Sequence, residues 1–173
     1  MTHTYICILK DSEISLWGLS GKERLIRMIE SHDNVELVDR TSQVPENAPV
    51  LLLRGDYLFE SRVLKELIGR DEDVAVSATN SDQIVAARAS SSNLEVLSQE
   101  LLGESDKKII TTLEIKKAAD LVNAYDPRLL KYDPPFILPV NQANKYHLEN
   151  ELFDGSYKGV TDFITKWFWP IPA

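Results

Sequence analysis

Val50-Leu51-Leu52-Leu53-Arg54-Gly55-Asp56 is the stretch on which the reading of the fold turns. Four consecutive apolar residues suit a short strand buried on both faces. Gly55 and Asp56 end the run and set a carboxylate at the carboxyl end of that strand. This is the edge where open α/β sheets bind their ligands. Thr4 to Leu9 reads the same way, with Tyr5, Ile6, Cys7, Ile8 and Leu9 as its apolar run.

Between these strands, Gly21 to Ser31 is expected to be a helix, with Leu25, Ile26, Met28 and Ile29 on its apolar face. Ser20 and Glu23 have capping-box spacing and set its start. Val35 to Val38 is a short strand candidate. Beyond Asp56, Ser61 to Ile68 is a helix stopped by Gly69, and Val74 to Ala78 and Ile84 to Ala87 are strands around an Asn80-Ser81-Asp82 turn. Leu94 to Leu102 is a helix ended by Gly103, Ile109-Ile110 a short strand, and Leu113 to Val122 a helix. Pro127, Pro134, Pro135 and Pro139 mark an irregular stretch before a short helix around Tyr146 to Leu152. Strands alternating with helices predict a layered α/β domain with a mostly parallel central sheet.

Composition narrows the function classes. The formal net charge is −8, which argues against a general nucleic-acid binder, because phosphate neutralisation needs a basic surface. Cys7 is the single cysteine, so no disulfide forms within the chain, in keeping with a reducing compartment. Cys7 and the scattered His3, His32 and His147 offer no zinc-ligand spacing. The N-terminus lacks the pattern of a signal peptide. No run approaches the roughly 20 apolar residues that span a bilayer, so the chain reads as soluble or membrane-apposed.

Three features carry candidate chemistry. Asp56 could hold Mg²⁺ against a triphosphate, since that ion takes one or two carboxylates plus phosphate oxygens. A loop aspartate capping the next helix would look the same, and both readings stay open. Lys10 to Arg24 is the loop after the first strand. Gly18, Gly21, Lys22 and Arg24 there could offer N–H groups and positive charge to phosphates at a helix N-terminus. The alternative is a solvated loop with an ordinary capped helix, and neither G-x-G-x-x-G nor G-x-x-x-x-G-K-[ST] is present. The third feature is the tail. Tyr157, Val160, Phe163, Ile164, Trp167 and Phe168 recur at helical spacing, followed by Trp169. Such a stripe suits a membrane interface or a helix docked on the domain's own core. The end at Ala173, straight after aromatic residues and prolines, favours a boundary before a further segment.

Strand Tyr5–Leu9, a long loop, a helix, then Val50–Leu53 with Gly55-Asp56-Tyr57-Leu58-Phe59 and a strand pair from Val74 to Ala87 together resemble the nucleotidyltransferase fold of sugar-phosphate cytidylyltransferases (GT-A-like, Rossmann-like). The tail Gly155-Ser156-Tyr157-Lys158-Gly159-Val160-Thr161-Asp162-Phe163-Ile164-Thr165-Lys166, then Trp167-Phe168-Trp169-Pro170, resembles the juxtamembrane segment of CDP-alcohol phosphatidyltransferases. Some members of that family carry a cytidylyltransferase-like domain in front of their membrane helices. The resemblance implies a three-layer domain over residues 1–153. It makes 154–173 a juxtamembrane amphipathic helix leading to a membrane domain on the cytoplasmic side of the plasma membrane. It implies CTP or a CDP-alcohol as ligand, Mg²⁺ as cofactor with Asp56 as its ligand, and phospholipid biosynthesis as the setting. Tyr157, Phe163, Trp167, Phe168 and Trp169 would meet the membrane surface, and a homodimer stays open.

The departures from that pattern are specific. Active relatives carry a glycine-rich G-x-G-x-R loop, whereas this loop reads Asp11-Ser12-Glu13-Ile14-Ser15-Leu16-Trp17-Gly18-Leu19-Ser20-Gly21-Lys22. The family's second metal carboxylate falls here at Ile110-Thr111-Thr112-Leu113, with no acid until Glu114. The membrane enzyme's D-x-x-D-G-x-x-A-R is absent, so the chain alone lacks that transfer chemistry. Metal and cationic groups stabilise the developing charge in nucleotidyl transfer. Three expectations follow: a degenerate binding or regulatory module, an active Mg²⁺-dependent cytidylyltransferase, or a scaffold for dimerisation or membrane contact.

Overall fold

The computed structural model describes residues 3–90, 93–105, 109–126 and 131–154. Its centre is a six-stranded sheet. In chain order the strands are β1 (Thr4–Asp11), β2 (Val35–Val38), β3 (Val50–Gly55), β5 (Val74–Ser77), β6 (Ile84–Ala89) and β7 (Glu114–Lys116). They lie side by side as β2-β1-β3-β6-β5-β7. All run parallel except β6, which is antiparallel to both its neighbours. The fold is therefore α/β with a mixed, mostly parallel sheet.

Alternation along β3 explains why Val50–Leu53 is apolar throughout. Leu51 and Leu53 pack with Leu25 and Ile29 of α1 (Gly21–Ile29) and Val63, Leu64 and Leu67 of α2 (Ser61–Gly69). Val50 and Leu52 pack on the opposite face with Leu97 and Leu101 of α3 (Leu94–Leu102). All four are fully buried, and each such side chain stabilises the fold by about 1.5–3 kcal/mol. The Ser20–Glu23 capping box forms as expected. Gly103 closes α3 in the left-handed conformation, which glycine adopts without a Cβ penalty.

Two expectations from sequence fail. Ile109-Ile110 is not a strand. Glu100 accepts the Ile109 and Ile110 N–H groups on its two carboxylate oxygens, and a 3-10 turn covers Ile110–Thr112. Leu113 to Val122 is not one helix either. Glu114–Lys116 pairs in register with Val74–Val76 as β7, and only Ala118–Leu121 is helical (α4). Pairing on the open edge of β5 overrides the local helical preference.

The sequence reading also passed over β4 (Tyr57–Phe59). Its partner is the antiparallel strand Ile137–Pro139, far along the chain in the proline-rich stretch. Between them in sequence, a ribbon pairs β8 (Tyr125–Asp126) with β9 (Lys131–Tyr132), so that Ile137–Pro139 is β10. Helix α5 covers residues 145–154. A separate apolar cluster of Leu16, Leu58, Leu138, Val140 and Leu148 ties the loop after β1 to β4, β10 and α5. Among the described residues no helix is long and apolar enough to cross a membrane.

Candidate functional site

The carboxyl ends of β1 and β3 meet at an irregularity in their pairing. Leu9 pairs with Arg54 and Asp11 with Gly55, so Lys10 is an extra residue between them. Its φ is +57°, a left-handed value that non-glycine residues adopt rarely. The bulge sends consecutive side chains to different duties. Lys10 Nζ reaches Asp56 Oδ2 at 3.2 Å, and Asp11 turns to the start of α1.

Asp11 Oδ1 accepts from the Ser12 N–H at 2.7 Å and from the Lys22 N–H at 2.9 Å, while Ser20 Oγ donates to Oδ2 at 2.9 Å. The Gly21 N–H donates to Ser12 Oγ at 2.8 Å and the Glu23 N–H to Ser20 Oγ at 3.2 Å. Helix N-termini bind phosphate through such N–H groups and the helix dipole. Here the chain's own side chains engage the Gly21, Lys22 and Glu23 N–H groups, and the carboxylates of Asp11 and Glu23 both stand at the helix start.

Glycine is required where these elements touch. A Cβ on Gly21 would collide with the Gly55 carbonyl oxygen, and a Cβ on Gly55 with that of Lys10. The loop, the start of α1 and the end of β3 are thus closed on one another at backbone distance.

Asp56 lies in this junction. Arg54 Nε donates to its Oδ1 at 2.9 Å and Arg54 Nη2 to its Oδ2 at 2.6 Å. Arg54 is itself fixed by the Leu101 carbonyl at 3.4 Å and by the Tyr57 ring, 5.0 Å from the guanidinium carbon. Burial would raise the Asp56 carboxyl, but hydrogen bonds and charge from Arg54, then Lys10, hold it below the ordinary carboxylate range. The same pairing raises Arg54. Mg²⁺ fits poorly against a carboxylate whose oxygens already accept from the little-exposed Arg54 guanidinium and the half-exposed Lys10 ammonium, with both of which it would have to compete.

Of the other candidates, Gly21 and Lys22 adjoin Gly55 beside Asp56, whereas Gly18 lies in the hairpin after β1 that Arg24 braces. Gly18 (φ +77°) and Trp17 (φ +49°) form the two-residue turn of a small hairpin closed by mutual Leu16–Leu19 backbone bonds of 2.9 and 3.1 Å. Arg24 donates through Nη2 to the Leu16 carbonyl, so its guanidinium braces the hairpin. Burial, then the charge of Arg27, lowers its pKa. Lys22 engages Asp11 through its backbone, and its ammonium makes no ion pair among the described residues. Glu114, the first acid after the expected metal position, stands at the start of β7 and pairs with Lys116 at 3.2 Å. Three strand spacings separate β7 from β3, about 14 Å.

No family model and no curated protein matches this chain. Its chemistry is read from the residues themselves. Among the described residues, no group of three or more histidine, cysteine, aspartate or glutamate side chains could hold a metal ion. Tyr157, Phe163, Trp167, Phe168 and Trp169 lie outside the described residues.

Lys10, Arg54 and the capping role of Asp11 are features of the site that the sequence patterns do not single out. Arg54 was nonetheless legible in the sequence, since an Arg-x-Asp pair at a strand end sets a guanidinium close enough to bond the carboxylate. Lys10 and Asp11 were not, because their directions depend on the bulge.

Proposed function

We propose that this chain is a nucleotidyltransferase-like domain that has kept the three-layer fold and lost nucleotidyl transfer, and that it serves as a binding or regulatory module. One observation carries this reading. The two places where a nucleotide and its metal would be held, the start of α1 and Asp56, are already satisfied by Asp11, Ser12, Ser20, Arg54 and Lys10. Preorganised groups aimed at the reacting phosphates are what such catalysis needs. Groups already paired within the chain must first be released.

In this reading the module belongs to a CDP-alcohol phosphatidyltransferase of phospholipid biosynthesis, on the cytoplasmic side of its membrane. Calorimetry with CTP and Mg²⁺ tests the proposal, with Asp56→Asn as control, alongside an assay for CDP-alcohol formation from CTP and a panel of polyol phosphates. The expected result is no turnover. Measurable CDP-alcohol formation by the wild-type chain that Asp56→Asn abolishes would instead establish an active cytidylyltransferase using Asp56.

A further inference from the structure

The two edges of the six-stranded sheet are β2 and β7, and an edge strand offers unpaired N–H and C=O groups to another chain. Register decides which groups those are. Tyr5 donates to the Pro49 carbonyl at 3.0 Å, so the backbone groups of Val50 and Leu52 turn to β6. The β3–β6 register then turns those of Ala86 and Arg88 to β5, and the β5–β6 register turns those of Ala75 to β7. Ala75 stands level with Ile115 in the parallel pair. It therefore bonds Glu114 and Lys116 and leaves the N–H and C=O of Ile115 facing outward. No other backbone bond engages Ile115 among the described residues, and the residue is 52% exposed. On either side the edge closes, since Leu113 donates to the Ile110 carbonyl and Lys117 to Asp120 Oδ2.

We infer that β7 is the seat of a second copy of this chain, bound antiparallel about a two-fold axis at Ile115, so that the two sheets join edge to edge. This dimer does not depend on the nucleotidyltransferase reading. Residues on two antiparallel strands exchange hydrogen bonds only where the free groups of both face the seam, so Ile115 stands opposite Ile115 of the other copy. Glu114 of each copy then stands opposite Lys116 of the other, with Cβ atoms about 5 Å apart. Glu114 and Lys116 share one face of β7 and pair at 3.2 Å within the chain. Across the seam the two pairs become one alternating cluster of four charges. Opposite charges directly across an antiparallel pair stabilise it, and like charges do the reverse. The other edge has the contrary character. Thr4 donates to the Asn34 carbonyl, which leaves Val35 and Leu37 of β2 facing outward. Pairing both across a two-fold axis would set Glu36 directly against Glu36. Charge thus admits a second copy at β7 and opposes one at β2. An interface centred on three-residue strands falls below the standard protein–protein area, so the dimer is weak, with a Kd on the order of 10–100 µM.

The test is sedimentation equilibrium of the full chain over a wide range of concentration. Wild type should show a reversible monomer–dimer equilibrium. Glu114→Lys and Lys116→Glu each set like charges across the seam, and each alone should raise the Kd by about tenfold or more. Mixed together, the two variants should form a dimer of wild-type strength, because every charge in that pair meets its opposite. Recovery in the mixture also shows that both variants are folded. Ile115→Pro removes the outward N–H and spares the bonds to β5, so it should abolish the dimer. A monomer at every concentration would overturn the proposal. So would a dimer that neither charge reversal weakens, that the mixture does not restore, or that survives Ile115→Pro.

Discussion

Arg54 holds Asp56 through two nitrogens at once, at 2.9 and 2.6 Å, from two residues away on the same chain segment. Both side chains are little exposed, at 11% and 14%. A bidentate pair of this kind is directional as well as charged, so the carboxylate's orientation is set by its neighbour.

Replacing Asp56 by Asn should lower stability at neutral pH by about 1.5–3 kcal/mol, the range for a hydrogen bond to a charged group. The pH dependence has a definite sign. The folded-state pKa of Asp56 is depressed, so its contribution is complete above the unfolded value near 3.9 and is lost as pH falls through the folded value. Urea denaturation of wild type and Asp56→Asn across pH 2.5–7 should therefore show the two converging in acid. A constant gap would mean that Asp56 is not the stabilising anion.

Lys10 allows a test of the bulge. Its ammonium is half exposed and its pair with Asp56 is screened by solvent, so losing it costs at most about 1 kcal/mol. The left-handed backbone costs about 1–2 kcal/mol in any residue with a Cβ. Lys10→Gly should thus be more stable than Lys10→Ala by about 0.5–1 kcal/mol, after the greater freedom of glycine in the unfolded chain is deducted. Equal stabilities would show that the bulge relaxes when the lysine is removed.

Gly21→Ala should destabilise by about 2–3 kcal/mol, as overpacking does where the neighbour is backbone rather than a movable side chain. Gly69→Ala is the control. It closes α2 with open space around its Cβ position, and helix propensity predicts no loss and up to about 1 kcal/mol of gain. Thermal unfolding of the two variants separates a steric requirement from a general intolerance of substitution.

Arg88 is 2% exposed in the middle of the sheet. Its Nη2 donates to Thr4 Oγ1 at 3.3 Å, and its Nε and Nη1 have no hydrogen-bond partner among the described residues. Burial lowers its pKa, while Asp71 and Asp73 act in the opposite direction. Apolar replacement of a poorly compensated buried charge is often neutral or stabilising by about 1–4 kcal/mol. Arg88→Met should therefore match or exceed wild type in chemical denaturation. A large loss would show that attraction to the two aspartates outweighs the desolvation.

The sequence by itself determined the elements whose cause lies within a few residues. Val50–Leu53 reads as a strand because all four residues are apolar. Helix α1 starts at Gly21 because Ser20 and Glu23 cap it, and α3 stops at Gly103 because glycine accepts the left-handed turn. Tertiary structure alone decided what depends on segments distant in the chain. Glu114–Lys116 became a strand because β5 offered an open edge, and Tyr57–Phe59 became one because Ile137–Pro139 came to lie beside it. The site belongs to this second group. Asp56 was legible as a carboxylate at a strand end, but its pairing with Lys10 and the placing of Asp11 at the start of α1 follow from one extra residue in the β1–β3 register. A register is a relation between two strands, so neither strand's sequence contains it.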